Sequence, residues 1–444
     1  MNTLSRKEIM LVSLMLFSMF FGAGNLIFPP FLGQAAGENV ILSLIGFIVS
    51  AVGLPILGVA AIAKAGSFEI LAGRVHPLFA LIFPFIIYVS IGPGLAIPRA
   101  GSLAFEMGIA PFLPGNLAAN PFSLLLYTIV FFGLVFWFSM SPSKLVNRFG
   151  KLLTPLLLSL IALIFVKSLI TPIGSFEAPS GNYAASPVFA GFLDGYLTMD
   201  ALAALVFGIV IANTVRSKGV EDSKKVSLYM IYAGIGAGLL LTTIYCILGF
   251  LGAASGGLGE AENGAQILTN VMNSLFGQSG AVLLGVIFTL ACLCVCIGLV
   301  ISCSQYFAST ISGISYKMWV TILSLLSMGI ANLGLTQILQ VSVPILGAIY
   351  PVAIVLIALA LLHNVLKGYS SVYVLTVALV GIFSVADMIN QTFLSNAWSE
   401  VFMKLPLYEQ GVGWLVLGII GIIVGYLIGK INSPRNERNT REAA

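Results

Sequence analysis

A chain of 444 residues that is 59% hydrophobic, only 8% charged and +4 in net charge, with mean hydropathy +1.07, lacks the polar surface of soluble domains, which hold about 25% charged residues. A soluble enzyme, a nucleic-acid binder and a disordered scaffold are thereby excluded. Apolar runs of about 20 residues, rather than the short alternating segments of an outer-membrane barrel, point to an all-α, polytopic helical membrane protein.

Runs bounded by charge, proline or glycine predict twelve transmembrane helices, in 9–31, 40–63, 78–105, 122–140, 152–171, 198–215, 226–252, 280–310, 318–334, 338–362, 372–395 and 412–430. The first follows Arg6 and Lys7 as a signal peptide would. It has no small-x-small cleavage site before Gly22 and runs on through Asn25 to Pro30, so it counts as a span. Threading the chain with both termini in the cytoplasm puts every Lys and Arg except Arg99, Lys167 and Lys404 on the inner side, as expected for a multi-pass protein of the cell membrane. The connection 172–197, with Pro172, Pro179 and Pro187, reads as an irregular outer loop. The connection 253–279 starts glycine-rich and ends in an amphipathic Ile267, Leu268, Val271, Leu275 pattern, which suits either a surface helix over an opening or an inert interfacial loop. Gly421, Gly425 and Gly429 have the spacing of close helix packing. The whole chain, 1–444, reads as one transmembrane transporter domain.

Span 1 holds Phe21-Gly22-Ala23-Gly24-Asn25, and each glycine costs a helix about 1 kcal/mol against alanine. A helix broken there turns amides toward an anion and carbonyls toward a cation; a glycine packing kink is the simpler alternative. Span 6 repeats the pattern with Phe207, Gly208, Asn213 and Thr214. Matching breaks five spans apart point to a 5+5 inverted repeat with discontinuous helices 1 and 6: repeat one about 9–171, repeat two about 198–362, and two appended helices about 372–430. In span 3, Gly92, Pro93 and Pro98 precede Arg99, an intramembrane charge that either snorkels to the outer interface or pairs with Glu106, Asp200 or Asp387. Cys292, Cys294 and Cys296 diverge by about 200° per step on a helix and read as packing residues rather than a metal cluster.

The stretches Phe21-Gly22-Ala23-Gly24-Asn25 to Pro30, Ile91-Gly92-Pro93 to Pro98-Arg99, and Ser342-Val343-Pro344 to Tyr350-Pro351 resemble the bacterial branched-chain amino acid:cation symporters along essentially the whole chain. The resemblance implies a leucine-transporter-like fold and sodium-driven import of leucine, isoleucine and valine by alternating access. It implies a substrate site of Phe21, Ala23, Gly24, Asn25, Ile91, Phe207 and Gly208, with the Ala23 and Gly24 amides on the carboxylate and the Phe207 and Gly208 carbonyls on the ammonium. A cation near the carboxylate would take the Asn25 amide oxygen. A second cation site would use carbonyls near Ser18 and Phe21 with hydroxyls from the middle of span 8, where Cys292 to Cys296 stand instead and Thr289, Ser302 or Ser304 must serve; sodium prefers oxygen to sulfur. Arg99 and Asp200 are the gate candidates, with Asp200 expected at the periphery. Beyond the alkali cation and the bilayer, no cofactor, other metal or nucleic acid is expected. A proton-coupled symporter and a non-transporting sensor on the same scaffold are the alternatives. An enzyme is not supported, because no convergent catalytic set occurs.

Overall fold

A computed structural model of the chain describes residues 3–118, 120–142, 146–259, 261 and 263–442. Among these residues the regular elements are all helical. Helix α1 (Arg6–Phe20) is capped by Ser5, whose hydroxyl accepts from the Glu8 N–H while the Glu8 carboxylate accepts from the Ser5 N–H. After a two-residue break comes α2 (Ala23–Ala36), then α3 (Val40–Ile48), a π turn (Val49–Gly53) and α4 (Leu54–Ala65). The short α5 (Phe68–Gly73) precedes α6 (Pro77–Val89), which is separated from α7 (Ala96–Gly108) by a kink with non-helical backbone at Gly92.

Next come α8 (Gly115–Ala118), α9 (Pro121–Ser139), α10 (Thr154–Ile170), α11 (Asn182–Ala185), α12 (Pro187–Tyr196) and α13 (Asp200–Ser217). The long α14 (Ser223–Ala253) is followed by α15 (Gly264–Phe276), α16 (Gln278–Thr310) and α17 (Tyr316–Ala331). The chain closes with α18 (Leu335–Leu362), α19 (Ser370–Phe393), α20 (Ser399–Phe402) and α21 (Trp414–Glu442). Among the described residues, ten helical stretches are long and apolar enough to cross a bilayer, with Tyr316–Ala331 a shorter apolar helix. Taking α1–α2 as an interrupted first span and α17 as the ninth, all twelve expected spans are helical.

One expectation is corrected. The connection 172–197 is not wholly a loop: its second half is α12, begun by Pro187 at the first helical position, where a missing N–H costs nothing. The sixth span is therefore α12 plus α13, and its break falls at residues 197–199, with Met199 in the left-handed region (φ 67°). Phe207 and Gly208 lie inside the continuous α13. Their carbonyls are spent on its own hydrogen-bond ladder and are not offered to an ammonium group.

The chain packs as two compact units, residues 1–59 with 87–342, and 60–86 with 343–444, whose boundaries cut across the expected repeats. In the first, α12 lies against α3 at backbone contact. A Cβ on Gly191 would sit 1.9 Å from the Ser43 carbonyl oxygen, and one on Gly46 1.9 Å from that of Val188. The amphipathic segment is the regular helix α15, which buries Ile267, Leu268, Val271 and Leu275. In the second unit, Gly421 and Gly425 bring α21 against the backbone of α19 at Thr376 and Val372, as their spacing predicts.

Candidate substrate and cation site

The two broken spans meet in the first unit. At the first break Phe21 and Gly22 adopt extended backbone, so the last carbonyls of α1 and the first amides of α2 lack helical partners. Asn25 holds this break open. Its Oδ1 accepts from the Gly22 N–H at 3.0 Å, capping α2 from within. Its Nδ2 donates to Asp200 Oδ2 at 2.6 Å and also to the Tyr245 hydroxyl. Tyr245, from the middle of α14, donates in turn to Asp200 Oδ2 at 2.9 Å. Asp200 is the first residue of α13, immediately after the second break, and is 2% exposed. One buried carboxylate thus ties together both breaks and α14. Asp200 is central rather than peripheral.

Arg99, 3% exposed, reaches the same place from α7. Its Nη1 donates to the Leu197 carbonyl oxygen of the second break at 3.0 Å. At the first break, a Cβ on Gly24 would lie 3.0 Å from Arg99 Nη2 and 3.1 Å from the Leu197 oxygen. The guanidinium also sits over the Phe28 ring, 5.9 Å from its centroid. Arg99 is buried and does not snorkel. Of its other expected partners, Glu106 is exposed, and Asp387 accepts from Tyr408 and Gln391.

Between these groups lies a narrow cleft. Ala23, Gly24, Asn25, Arg99, Thr198 and Asp200 supply its polar or backbone-rich wall; Met19, Phe20, Ile91, Val295 and Leu299 supply an apolar one. Of the expected substrate residues, Ala23, Gly24, Asn25 and Ile91 line it. Phe21 does not: its ring stacks on Phe17, 5.1 Å between centroids, and Phe20 faces the cavity instead. Phe207 stands behind Phe20, with ring centroids 5.3 Å apart, and Gly208 is not in the lining.

The residues named for a second cation site are not brought together. Ser18 faces the Cys294 thiol. Ser302 donates within its own helix to the Gly298 carbonyl at 2.8 Å. Thr289 lies beside Gly108 and Tyr127. On one continuous α16, the alternatives Thr289 and Ser302 lie roughly 20 Å apart at 1.5 Å rise per residue.

Tyr245 and Thr198 are site residues that the sequence reading missed. A tyrosine hydroxyl in mid-span needs a buried partner, which was the available signal for Tyr245. At the end of the bundle bearing the N-terminus, Lys218 after α13 and Glu8 of α1 pair at 3.5 Å, and Asn213 donates to Gln305 at 3.3 Å. The Ser5 backbone and side-chain hydrogen bonds, then Lys218, hold the Glu8 carboxyl below its usual range. A depressed carboxyl stabilises above its unfolded pKa, about 4.3, and loses that contribution only as pH falls through the lower folded value. Lys218→Ala is therefore expected to change uptake rate less than about 5-fold, the range of an exposed ion pair, and by the same factor at pH 6 and pH 8. Initial-rate uptake at the two pH values checks this.

Residues 5–432 match the family model described as "Branched-chain amino acid transport protein". The chain belongs to this family of transporters. It is 46% identical to the branched-chain amino acid permease BraB of Bacillus subtilis, with 99% of each chain covered. It is 40% identical to the branched-chain amino acid transport system 2 carrier protein of Pseudomonas aeruginosa (97% of this chain, 99% of the relative), and 36% to the permease BrnQ of Escherichia coli K12 (96% of each). Its fold is similar to that of MhsT in complex with L-phenylalanine (TM-score 0.58, 16% identity, 94% of this chain and 98% of that one). It is similar also to Mhp1, a nucleobase-cation-symport-1 family transporter, in a closed conformation with bromovinylhydantoin bound (TM-score 0.62, 14% identity, 94% and 91%). The family transports branched-chain amino acids and is not a family of enzymes.

Proposed function

We propose that this family member imports leucine, isoleucine and valine across the cell membrane by alternating access, with sodium as the coupling ion, and binds them in the cavity between the two breaks. The observation that carries the reading is that cavity: helix ends and two buried charges on one side, aliphatic and aromatic side chains on the other. A zwitterion with an apolar branched side chain matches both walls. The amides of Ala23 and Gly24, at the positive end of α2, suit the carboxylate; the free carbonyls at the end of α1 and the Asn25 Oδ1 suit an alkali cation. The two breaks support a 5+5 inverted repeat. Each missing methylene in an apolar pocket costs about 1–3 kcal/mol, so alanine should compete weakly for uptake and lysine or glutamate hardly at all.

Proton coupling is the second reading, favoured by the central position of Asp200. Proteoliposomes loaded without amino acid separate the two. Under the sodium reading, an inward sodium gradient at equal pH drives accumulation of labelled leucine, and a pH gradient in sodium-free buffer does not. The reverse outcome assigns coupling to protons.

A further inference from the structure

An acidic and a basic side chain, both buried, line one cavity between the two helix breaks. Desolvating a carboxylate or a guanidinium is expensive, and ionisable groups at this depth mark functional sites. Asp200 and Arg99 are also positioned by side chains that fix their geometry. Asn25 and Tyr245 both donate to Oδ2 of Asp200, which locks the carboxylate's rotation. The Leu197 carbonyl and the Phe28 ring hold the guanidinium beside Gly24. Each charge belongs to a different wall element, α13 and α7, and each touches a helix break. The start of α2 lies beside the Arg99 guanidinium at Gly24 and beside the Asp200 carboxyl at Asn25.

We infer that Asp200 and Arg99 form a charge clamp for the substrate's α-amino acid group: Asp200 takes the ammonium, and Arg99 takes the carboxylate together with the Ala23 and Gly24 amides. The inference rests on the proposed amino-acid site and deepens it. It replaces the expectation that backbone carbonyls at Phe207 and Gly208 hold the ammonium, since α13 is unbroken there and both residues stand outside the cavity lining. A planar, fixed guanidinium and a rotationally locked carboxylate would make both charges of the ligand obligatory. Substrates lacking either should then be rejected even when their side chain is that of leucine.

The test uses the purified full chain in sodium buffer and calorimetric binding of three probes: leucine, 4-methylpentanoate (no amine) and 3-methylbutylamine (no carboxylate). The wild type is expected to bind leucine at least about 10-fold more tightly than either analogue. Asp200→Asn should weaken leucine about 10–100-fold, to near the level of 4-methylpentanoate, and leave 4-methylpentanoate itself unchanged. Arg99→Gln should do the same to leucine and leave 3-methylbutylamine unchanged. Asp200→Glu and Arg99→Lys, which keep the charge, should recover part of the loss. Leucine affinity within 3-fold of wild type in Asp200→Asn, with only the sodium dependence altered, would give the carboxylate to the cation and overturn the clamp. Equal weakening of both analogues by both variants would also overturn it. A wild type that binds no leucine would refute the amino-acid site itself, a result distinct from either.

Discussion

Asn25→Ala is expected to lower leucine uptake about 100-fold and to abolish sodium stimulation in the same variant. The substitution leaves the Gly22 N–H without its acceptor inside a buried break and takes a side-chain donor from Asp200. A buried unsatisfied donor costs about 1–3 kcal/mol, and a hydrogen bond to a charged group contributes about 1.5–3 kcal/mol. The lower end of that combined cost is already close to 100-fold in an equilibrium. Both ligands should suffer, because one interrupted segment offers α1 carbonyls to the cation and α2 amides to the carboxylate. Binding linked in this way shares a coupling free energy, typically about 1–3 kcal/mol. Labelled-leucine uptake titrated with sodium checks this. If the variant takes up leucine normally with unchanged sodium stimulation, Asn25 is only a cap for α2.

Gly24→Val carries the second large effect. Even a Cβ at this position comes within 3.0–3.1 Å of Arg99 Nη2, the Leu197 oxygen and Thr198 Cα, so valine's two methyl groups must displace the guanidinium or part the two breaks. The close α12–α3 contact at Gly191 and Ser43 uses other residues than those the substitution meets, so the protein is expected to remain folded. Leucine binding should fall about 100-fold or more, since overpacking costs typically about 1–3 kcal/mol and the displaced guanidinium removes a charged hydrogen bond besides. Thermal unfolding and calorimetric leucine binding, measured side by side, separate these effects. Loss of binding with a melting point near that of the wild type is expected. Undiminished binding would mean that the substrate does not use this gap.

The first break was legible because its causes are local: glycines and asparagine remove helix propensity, and Pro29 and Pro30 remove donors just beyond. The second was misplaced by about ten residues for the complementary reason. Leu197-Thr198-Met199 contains no glycine or proline, and Met199 is held at positive φ by tertiary structure rather than by propensity. Once the span was taken to start at 198, α12 became part of a loop, and Asp200 became a residue at the membrane edge. Its partner Tyr245 comes from α14, which runs unbroken through Gly234, Gly236 and Gly238; only the fold brings it to the site. Span number survives such errors because it depends on hydrophobic length summed over many residues, whereas a site depends on a few residues at element ends, where sequence reading is weakest.

A structure determined with leucine and sodium present tests the central claim most directly. Ligand density is predicted in the cavity between the two breaks, its carboxylate end toward Gly24 and Arg99, its amine toward Asp200, and its side chain toward Ile91 and Leu299. Leucine density elsewhere, for example in the wholly apolar cavity lined by Leu26, Leu268, Met272 and Ile287, with the break cavity unchanged, would contradict it.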